Sequence, residues 1–234
     1  RRFLQARYPN PGQTMACSDV NLAIQHRATL DRRLDRIATH EGVLVLGLIG
    51  SLRTRHKGIQ TVLKALPGIR QRLPGVRFRV LGEGDPEPWR REARRQGVAD
   101  ITSFEGVLKP DAAMAWLDQI DLYLQPSLQE GLPRALIEAM SRGCPAIGSK
   151  TGGIPELLDE TCMITPGSVT ELAQLVVQFA SSPDLLNAQA ARNWLKASAF
   201  SPEILSPTRA AFWAEFARFA SQCSGDRLES TPRH

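Results

Sequence analysis

The stretch DLYLQPSLQEGLPRALIE, residues 121–138, decides the fold class. Its apolar beginning, Asp121 to Gln125, predicts a buried strand, and its end predicts a helix from Pro133 to about Arg142. Gly131 permits a sharp turn between the two, and proline suits a first helical position because its missing N–H would be unpaired there. A strand that leads directly into a helix indicates an α/β fold.

The start of this helix is expected to lack a side-chain cap. Leu132, the predicted N-cap, carries no hydrogen-bond acceptor in its side chain. The first-turn amides are then left without a protein partner, which favours a bound anion because the helix dipole is positive at this end. These are the amides of Arg134, Ala135 and Leu136.

Two carboxylates flank this predicted anion site. Glu130 precedes it, and Glu138 lies almost two turns inside the helix. Both could accept hydrogen bonds from hydroxyls on either side of a phosphate group, and a sugar nucleotide has that layout. The alternative is an exposed ion pair between Arg134 and Glu138, with Glu130 as a solvated turn residue.

Outward from this stretch, short apolar runs alternate with helical patterns, which predicts a parallel sheet covered on both faces. The six strand candidates are Val43–Ile49, Val76–Leu81, Ile101–Phe104, Leu122–Gln125, Pro145–Gly148 and Cys162–Ile164. The helix candidates between them are Ile59–Leu73, Glu87–Gln96, Pro110–Gln119, Pro133–Arg142 and Ile154–Leu158.

Right-handed crossovers then favour a doubly wound, Rossmann-like sheet, which binds ligands beyond the carboxyl ends of its strands. Three loops follow predicted strands and are therefore expected on one rim of the sheet. They are Gly50–Gly58, Phe104–Val107 and Gln129–Leu132.

The charge balance is basic, with 29 Lys and Arg against 24 Asp and Glu and a net charge of +5. This balance is consistent with phosphate-bearing ligands or an anionic membrane surface. The densest basic cluster consists of Arg90, Arg91, Arg94 and Arg95. We interpret it as a solvated helix face, with membrane or acceptor contact as the alternative. No aromatic residues interleave the run, which argues against nucleic acid as a partner.

The cysteines, Cys17, Cys144, Cys162 and Cys223, are scattered and lack the close spacing of a zinc or redox motif. Reduced thiols in a cytosolic protein are the default for such a pattern. No apolar run approaches the ~20 residues that a membrane-spanning helix needs. We therefore expect a cytoplasmic protein, with peripheral contact at the inner face of the cell membrane as an addition that the positive charge allows.

The two ends of the chain differ from its middle. Residues 1–41, which begin without a methionine, are expected to be the end of a missing N-terminal domain plus a linker, and residues 42–200 the Rossmann-like nucleotide-sugar-binding domain. Residues 201–223 predict a C-terminal helix whose aromatic stripe, Phe212 to Phe219, is either core or a surface that crosses back to the missing domain. Residues 224–234 are expected to be a disordered tail.

Further motifs accompany the opening stretch. Gly50-Ser51-Leu52 and Lys57-Gly58 precede it, and Gly143-Cys144-Pro145-Ala146-Ile147 and Gly152-Gly153-Ile154-Pro155-Glu156 follow it. Together with Glu130–Met140, this ordered set resembles the C-terminal, donor-binding half of the family-four retaining glycosyltransferases, the group 1 enzymes of the GT-B fold. The resemblance covers roughly residues 43–180.

The resemblance implies a role for each motif. Lys57 is similar to the lysine that meets the donor diphosphate, and Glu138 to the carboxylate that holds the ribose hydroxyls. Glu130, with the backbone of residues 131–132, resembles the part that contacts the transferred sugar, and Phe104–Val107 resembles the loop whose backbone touches the base. Lys57 and Glu130 are the catalytic candidates. The donor-binding candidates are Gly50, Ser51, Arg53, Lys57, Gly106, Val107, Glu130, Gly131, Leu132, Arg134, Ala135, Leu136 and Glu138.

One position departs from the family pattern. The family usually places an arginine directly after the glycine that ends the first strand, as a second diphosphate contact, whereas this chain has Ser51. Arg53 or Arg55 could reach the same phosphate, and the sequence leaves both open.

The resemblance predicts a hexosyltransferase-like enzyme that moves a sugar from a nucleoside diphosphate sugar to a hydroxyl acceptor in polysaccharide or glycolipid synthesis. It predicts neither cofactor nor metal, because cationic side chains and a helix start can stabilise the leaving diphosphate. We expect the 234-residue chain alone to bind the donor without transferring sugar, since the acceptor pocket would come from residues before Arg1. A GT-B phosphorylase or epimerase and a non-catalytic sugar-nucleotide-binding module are the alternatives; the base, the sugar, the acceptor and the oligomeric state stay open.

Overall fold

The structure, a computed structural model, describes residues 2–7, 9, 18, 20, 22, 24–39 and 42–225. All strands of its sheet are parallel and lie in the order β3-β2-β1-β4-β5-β6. The strands are β1 (Val45–Ile49), β2 (Arg77–Leu81), β3 (Thr102–Phe104), β4 (Leu122–Gln125), β5 (Ala146–Ser149) and β6 (Met163–Ile164). The predicted doubly wound α/β fold is confirmed.

Helices cover both faces of the sheet. Those described are α1 (Arg2–Arg7), α2 (Arg27–Ala38), α3 (Ile59–Arg72), α4 (Glu87–Arg95), α5 (Pro110–Asp118), α6 (Arg134–Ser141), α7 (Val169–Ala180), α8 (Pro183–Ala197) and α9 (Pro202–Gly225). Helix α3 packs against α7, while α2 and α6 pack against α8. Strands β4 and β5 are buried along their whole length, as expected for the middle of a parallel sheet.

Most predicted elements differ from the structure by one or two residues at an end, and two of the differences concern the connections around β5 and α6. The predicted helix at residues 154–158 is a single 3-10 turn, Ile154–Glu156, whose neighbouring side chains Ile154 and Leu158 pack closely onto Gly148 of β5. Helix α6 begins at Arg134, one residue later than predicted, because the ψ angle of Pro133 is 110° and its backbone is therefore extended.

Helix α2 lies within the stretch that was expected to belong to a missing domain and its linker. Its side chains Leu30, Arg33 and Ile37 are buried against the domain. Arg33 donates to the carbonyl oxygens of Leu117 (2.9 Å), in the last turn of α5, and of Ile120, just beyond the end of that helix. A cation at this position complements the negative end of that helix dipole. The boundary predicted at residue 42 stays a prediction, but residues 27–38 pack as part of the domain.

Helix α9 carries exposed aromatic side chains. Trp213, Phe216 and Phe219 are 62%, 53% and 63% exposed, so in the described structure the stripe is not core. The predicted tail begins within this helix, which runs to Gly225, and residues 226–234 lie outside the described residues. No helix in the described ranges is long and apolar enough to cross a membrane.

The cysteines that the structure describes with their side chains, Cys144 and Cys162, are buried free thiols. Burial raises the pKa of Cys144 to about 11, and that of Cys162 is raised for the same reason. Cys17 and the side chain of Cys223 lie outside the described residues.

Candidate functional site

Two of the predicted site residues meet where the strand order reverses. Strands β1 and β4 are neighbours in the sheet. After β1 the chain continues to β2 on one side, and after β4 it continues to β5 on the other side. The loops after these two strands therefore open a crevice at the carboxyl edge. Lys57 in the first loop donates from Nζ to Oε2 of Glu130 in the second, over 2.7 Å. Both side chains are partly buried.

Glycines bring the lysine to this position. Gly58, the N-cap of α3, has a φ of 75°, and a Cβ there would lie 1.9 Å from the carbonyl oxygen of Pro126. A Cβ on Gly50 would lie 2.7 Å from Cγ of Lys57. The loop before α3 therefore lies directly on the loop after β4, and only glycine permits both approaches without a rearrangement.

Glu130 has two further donors that the sequence analysis missed. Gln125 Nε2 and Ser127 Oγ also donate to its Oε2, over 3.2 and 3.0 Å. Both residues are completely buried. Their signal in the sequence is a polar side chain at the end of an otherwise apolar strand, followed two residues later by a serine. A buried polar group requires a partner, so this pattern indicated that the strand ends at a polar site.

The start of α6 carries no side-chain cap, although its N-cap is Pro133 instead of the predicted Leu132. The consequence is the same, because proline has no side-chain acceptor either. A Cβ on Gly131, just before this start, would meet nothing within 4 Å. Below it, Gly153 donates its N–H to the Gly131 carbonyl over 2.6 Å. The turn is supported from one side and open on the other.

Glu138 differs from Glu130 in having no partner among the residues that the structure describes. Within the described part of the chain its carboxylate accepts no hydrogen bond and forms no ion pair. Burial raises its pKa, and the nearby charge of Arg134 lowers it only in part. The alternative of an Arg134–Glu138 ion pair is therefore not found in the structure.

The candidates near Ser51 have partners of their own. Arg53 lies 3.4 Å from a carboxylate oxygen of Glu83, with both side chains exposed. The guanidinium of Arg55 lies over the ring of Trp89 at 6.0 Å. The Ser51 hydroxyl accepts from the amide of Arg53 over 3.3 Å. Both arginines lie in the loop after β1, and each has a described neighbour, Glu83 for Arg53 and Trp89 for Arg55.

The loop after β3 reaches the same rim. Gly106 has a φ of 72° and accepts a hydrogen bond from Gly82 N over 2.7 Å, while the side chain of Val107 is 70% exposed. Arg79 binds the Glu105 carboxylate through two nitrogens, over 2.7 and 2.8 Å, and these bonds lower the pKa of that carboxyl. The loop is thus fixed at its base and presents an apolar side chain at its tip.

A separate cavity of about 260 Å³ lies at the opposite, amino edge of the sheet. Leu44 and Asp121 line it and directly precede β1 and β4. The Asp121 carboxylate is already bound by Arg36 and by the amide of Val45. We place the functional site at the carboxyl edge, where Glu138 has no partner among the described residues and Gly131 leaves space.

Comparison with known proteins identifies the family of the chain. The family model "Glycosyl transferases group 1" matches residues 43–182. The amylovoran biosynthesis glycosyltransferase AmsK of Erwinia amylovora is 28% identical over 62% of this chain and 38% of its own length. The 2-deoxystreptamine glucosyltransferase of Streptomyces kanamyceticus is 30% identical over 66% of this chain and 41% of its own length. The chain thus spans about two fifths of these curated relatives.

Solved structures share the fold. Sucrose-phosphate synthase from Thermosynechococcus elongatus superposes with a TM-score of 0.73 at 20% identity, over 94% of this chain and 56% of that chain. HepE of Anabaena, solved with UDP and glucose, gives a TM-score of 0.67 at 21% identity, over 81% of this chain and 52% of that chain.

Proposed function

The chain belongs to the group 1 glycosyltransferases, and we propose that it binds the nucleoside diphosphate sugar donor of such an enzyme. We propose further that the complete protein transfers the sugar to a hydroxyl acceptor with retention at the anomeric carbon. The observation that carries the proposal is the Lys57–Glu130 pair at the switch point of the sheet, beside a helix start without a side-chain cap. A cation and a positive helix end suit a diphosphate.

In this proposal each part of the donor has its own group. Lys57 and the first-turn amides of α6 bind the diphosphate. Glu138, whose carboxylate has no described partner, accepts hydrogen bonds from the ribose hydroxyls. Glu130 and the open side of Gly131 face the transferred sugar, and the loop at Val107 covers the base.

The chemistry asked of these residues is electrostatic. Negative charge grows on the diphosphate as the glycosidic bond to it breaks, and a fixed cation and fixed N–H dipoles stabilise that charge. Such groups contribute about 2.7–4 kcal/mol each in a site that excludes water. The scheme asks for no nucleophile from this domain and assigns the charge stabilisation to protein groups, without a metal.

The acceptor, the sugar and the setting belong to the proposal as well. AmsK, by its name, acts in amylovoran biosynthesis, which favours a polysaccharide or glycolipid acceptor here. A GT-B enzyme would supply its acceptor site from a second, N-terminal domain. We propose a cytoplasmic enzyme with peripheral contact at the inner face of the membrane, in keeping with the net charge of +5.

Thermal unfolding with added ligands tests the proposal. UDP, GDP and ADP, each with and without an attached hexose, are added to the full chain, with inorganic phosphate as the control for nonspecific anion binding. A specific ligand at about 100 times its Kd raises the free energy of unfolding by about 2.7 kcal/mol. Stabilisation by one nucleoside diphosphate and its sugar, but not by phosphate, is expected; equal midpoints with all of them would rule the proposal out.

A further inference from the structure

We propose, on the basis of the proposed function, that Tyr123, Gln125 and Ser127 are positioning residues for Glu130. They hold this carboxylate through Oε2 and so leave Oε1 to accept a hydrogen bond from a hydroxyl of the transferred sugar. None of the three was a site candidate from the sequence, and all three are buried, so their role would be exerted through Glu130.

In this series of hydrogen bonds, each group has a fixed role as donor or acceptor. The amide of Ile49 can only donate, and it donates to the Tyr123 hydroxyl oxygen over 3.4 Å. The Tyr123 hydroxyl then donates its own hydrogen to Oε1 of Gln125 over 3.1 Å. This bond sets the orientation of the amide group, with Nε2 on the side of Glu130.

The direction continues to the carboxylate. Gln125 Nε2 donates to Ser127 Oγ over 2.8 Å and to Glu130 Oε2 over 3.2 Å. Ser127, which accepts from Gln125, donates its hydrogen to the same Oε2 over 3.0 Å. Lys57 adds the third donor at 2.7 Å. Every donor therefore converges on one oxygen, and no described residue donates to Oε1.

Burial keeps the chain of hydrogen bonds intact. The pKa of Tyr123 is strongly raised, chiefly by desolvation, so its hydroxyl stays protonated and remains a donor. Gln125 and Ser127 are 0% exposed, so bulk water does not compete for their bonds. A carboxylate fixed in this way needs no reorientation when the sugar binds, which is the property that a positioned binding group requires.

Calorimetric titration separates this role from a merely structural one. Ser127→Ala and Gln125→Met are compared with the unmutated chain for binding UDP against UDP-glucose and GDP against GDP-mannose. We expect the sugar nucleotide of the recognised pair to lose about tenfold in affinity, near the lower bound for a hydrogen bond to a charged group, and its nucleoside diphosphate to change less than about threefold. Tyr123→Phe, one bond further away, should give a smaller loss in the same direction.

Asn193→Ala is the matched control for lost stability. Asn193 is also completely buried, and its Nδ2 donates to the Cys144 carbonyl over 2.9 Å, away from the rim. It should lower the thermal midpoint and leave the ratio of the two affinities unchanged. Equal weakening of both ligands by Ser127→Ala would overturn the positioning role, and so would a changed ratio in Asn193→Ala.

A double-mutant cycle on the unliganded chain makes the result independent of donor binding. The free energy of unfolding is measured for Ser127→Ala, Glu130→Gln and the double variant, and we expect the two changes not to add. Additivity would refute the hydrogen-bond chain itself. If the changes are coupled but no sugar nucleotide binds the unmutated chain, the proposed function fails and the positioning role toward a sugar fails with it.

Discussion

Glu130 and Glu138 lie in adjacent parts of one segment but differ in how many hydrogen bonds their carboxylates accept. We call residues 126–130 the anchored loop and residues 131–138 the helix start. In the anchored loop, Glu130 receives three hydrogen bonds at one oxygen. In the helix start, Glu138 receives none from described residues, although it is partly buried and its pKa is raised.

A glycine beside each of the two parts shows a similar difference, in how closely its surroundings are packed. Gly58 packs its backbone against the anchored loop so closely that a methyl group has no room, whereas Gly131 in the helix start faces open space. Polar groups whose hydrogen bonds are already made fix the local geometry, whereas buried polar groups without a hydrogen-bond partner are available to bind a ligand. The anchored loop is thus prepared before the ligand arrives, and the helix start has room and acceptors for it.

The largest expected effect is on the anchored loop. Gly58→Ala would place a Cβ 1.9 Å from the Pro126 carbonyl oxygen at a φ of 75°. We expect it to lower the free energy of unfolding by about 2–4 kcal/mol, from the left-handed backbone and the overpacking together. Urea unfolding measures this loss. Gly131→Ala is the matched control and should stay within about 0.5 kcal/mol; a similar loss in both would erase the contrast between the two regions.

Lys57→Ala removes the cation that joins the anchored loop to the proposed diphosphate site. Binding of the nucleoside diphosphate should weaken by about 1.5–3 kcal/mol, the range for a hydrogen bond to a charged group, while the free nucleoside should bind unchanged. Isothermal calorimetry with both ligands gives the comparison. Lys64→Ala controls for net charge, because Lys64 is an exposed lysine on the neighbouring helix α3. Equal losses for nucleoside and diphosphate would contradict the assignment of Lys57.

Glu138→Gln tests the helix start. If the carboxylate holds the ribose hydroxyls, the variant should weaken ribonucleotide binding by about 1 kcal/mol and binding of the 2′-deoxy analogue by less. Protein and ligand changes form a cycle whose coupling energy is read from four dissociation constants. Independent effects of the two changes would mean that Glu138 does not touch that hydroxyl.

The smallest expected effect concerns the unliganded protein. Because burial raises the pKa of Glu138 above its ordinary 4.5, the folded state holds this proton to a higher pH than the unfolded chain does. The contribution of Glu138 to stability therefore falls as pH rises from that ordinary value through the raised pKa, and it stays low above it. Glu138→Gln should remove this dependence and raise Tm at pH 7 by about 1–3 °C.

Thermal scans of both proteins between pH 4 and 8 check this sign. A Tm difference that is largest at the acid end would show that Glu138 has a stabilising partner in the folded state, and the contrast with Glu130 would be lost.

Most of the fold could be predicted from the sequence because strand and helix patterns are local. Leu122–Gln125 was predicted with its observed bounds, and the beginning of α3 at Ile59 follows directly from Gly58. The N-cap of α6 was misplaced by one residue because Pro133 has the φ of a helix but the ψ of an extended residue. The proline ring fixes the φ angle of the residue but leaves its ψ angle free.

The site was predictable only in part. Its candidates could be named one by one from motifs, and their roles toward a donor stay proposals. The support of Glu130 by Gln125 and Ser127 was missed because a polar residue in an apolar strand does not state where its partner lies. The positions of Arg53 and Arg55 were left open for the same reason, and the structure gives them Glu83 and Trp89 as neighbours.

By itself the sequence determined the order of strands and helices, the parallel sheet and the residues of its rim, since these depend on periodicity and turn chemistry over a few residues. Only the tertiary structure decided that Lys57 meets Glu130 across 73 positions of the chain, that α2 packs beside α8 and that the Glu138 carboxylate is bound by none of the described residues. Contacts of this kind depend on how the crossovers bring distant loops to one edge of the sheet, and no local pattern carries that information.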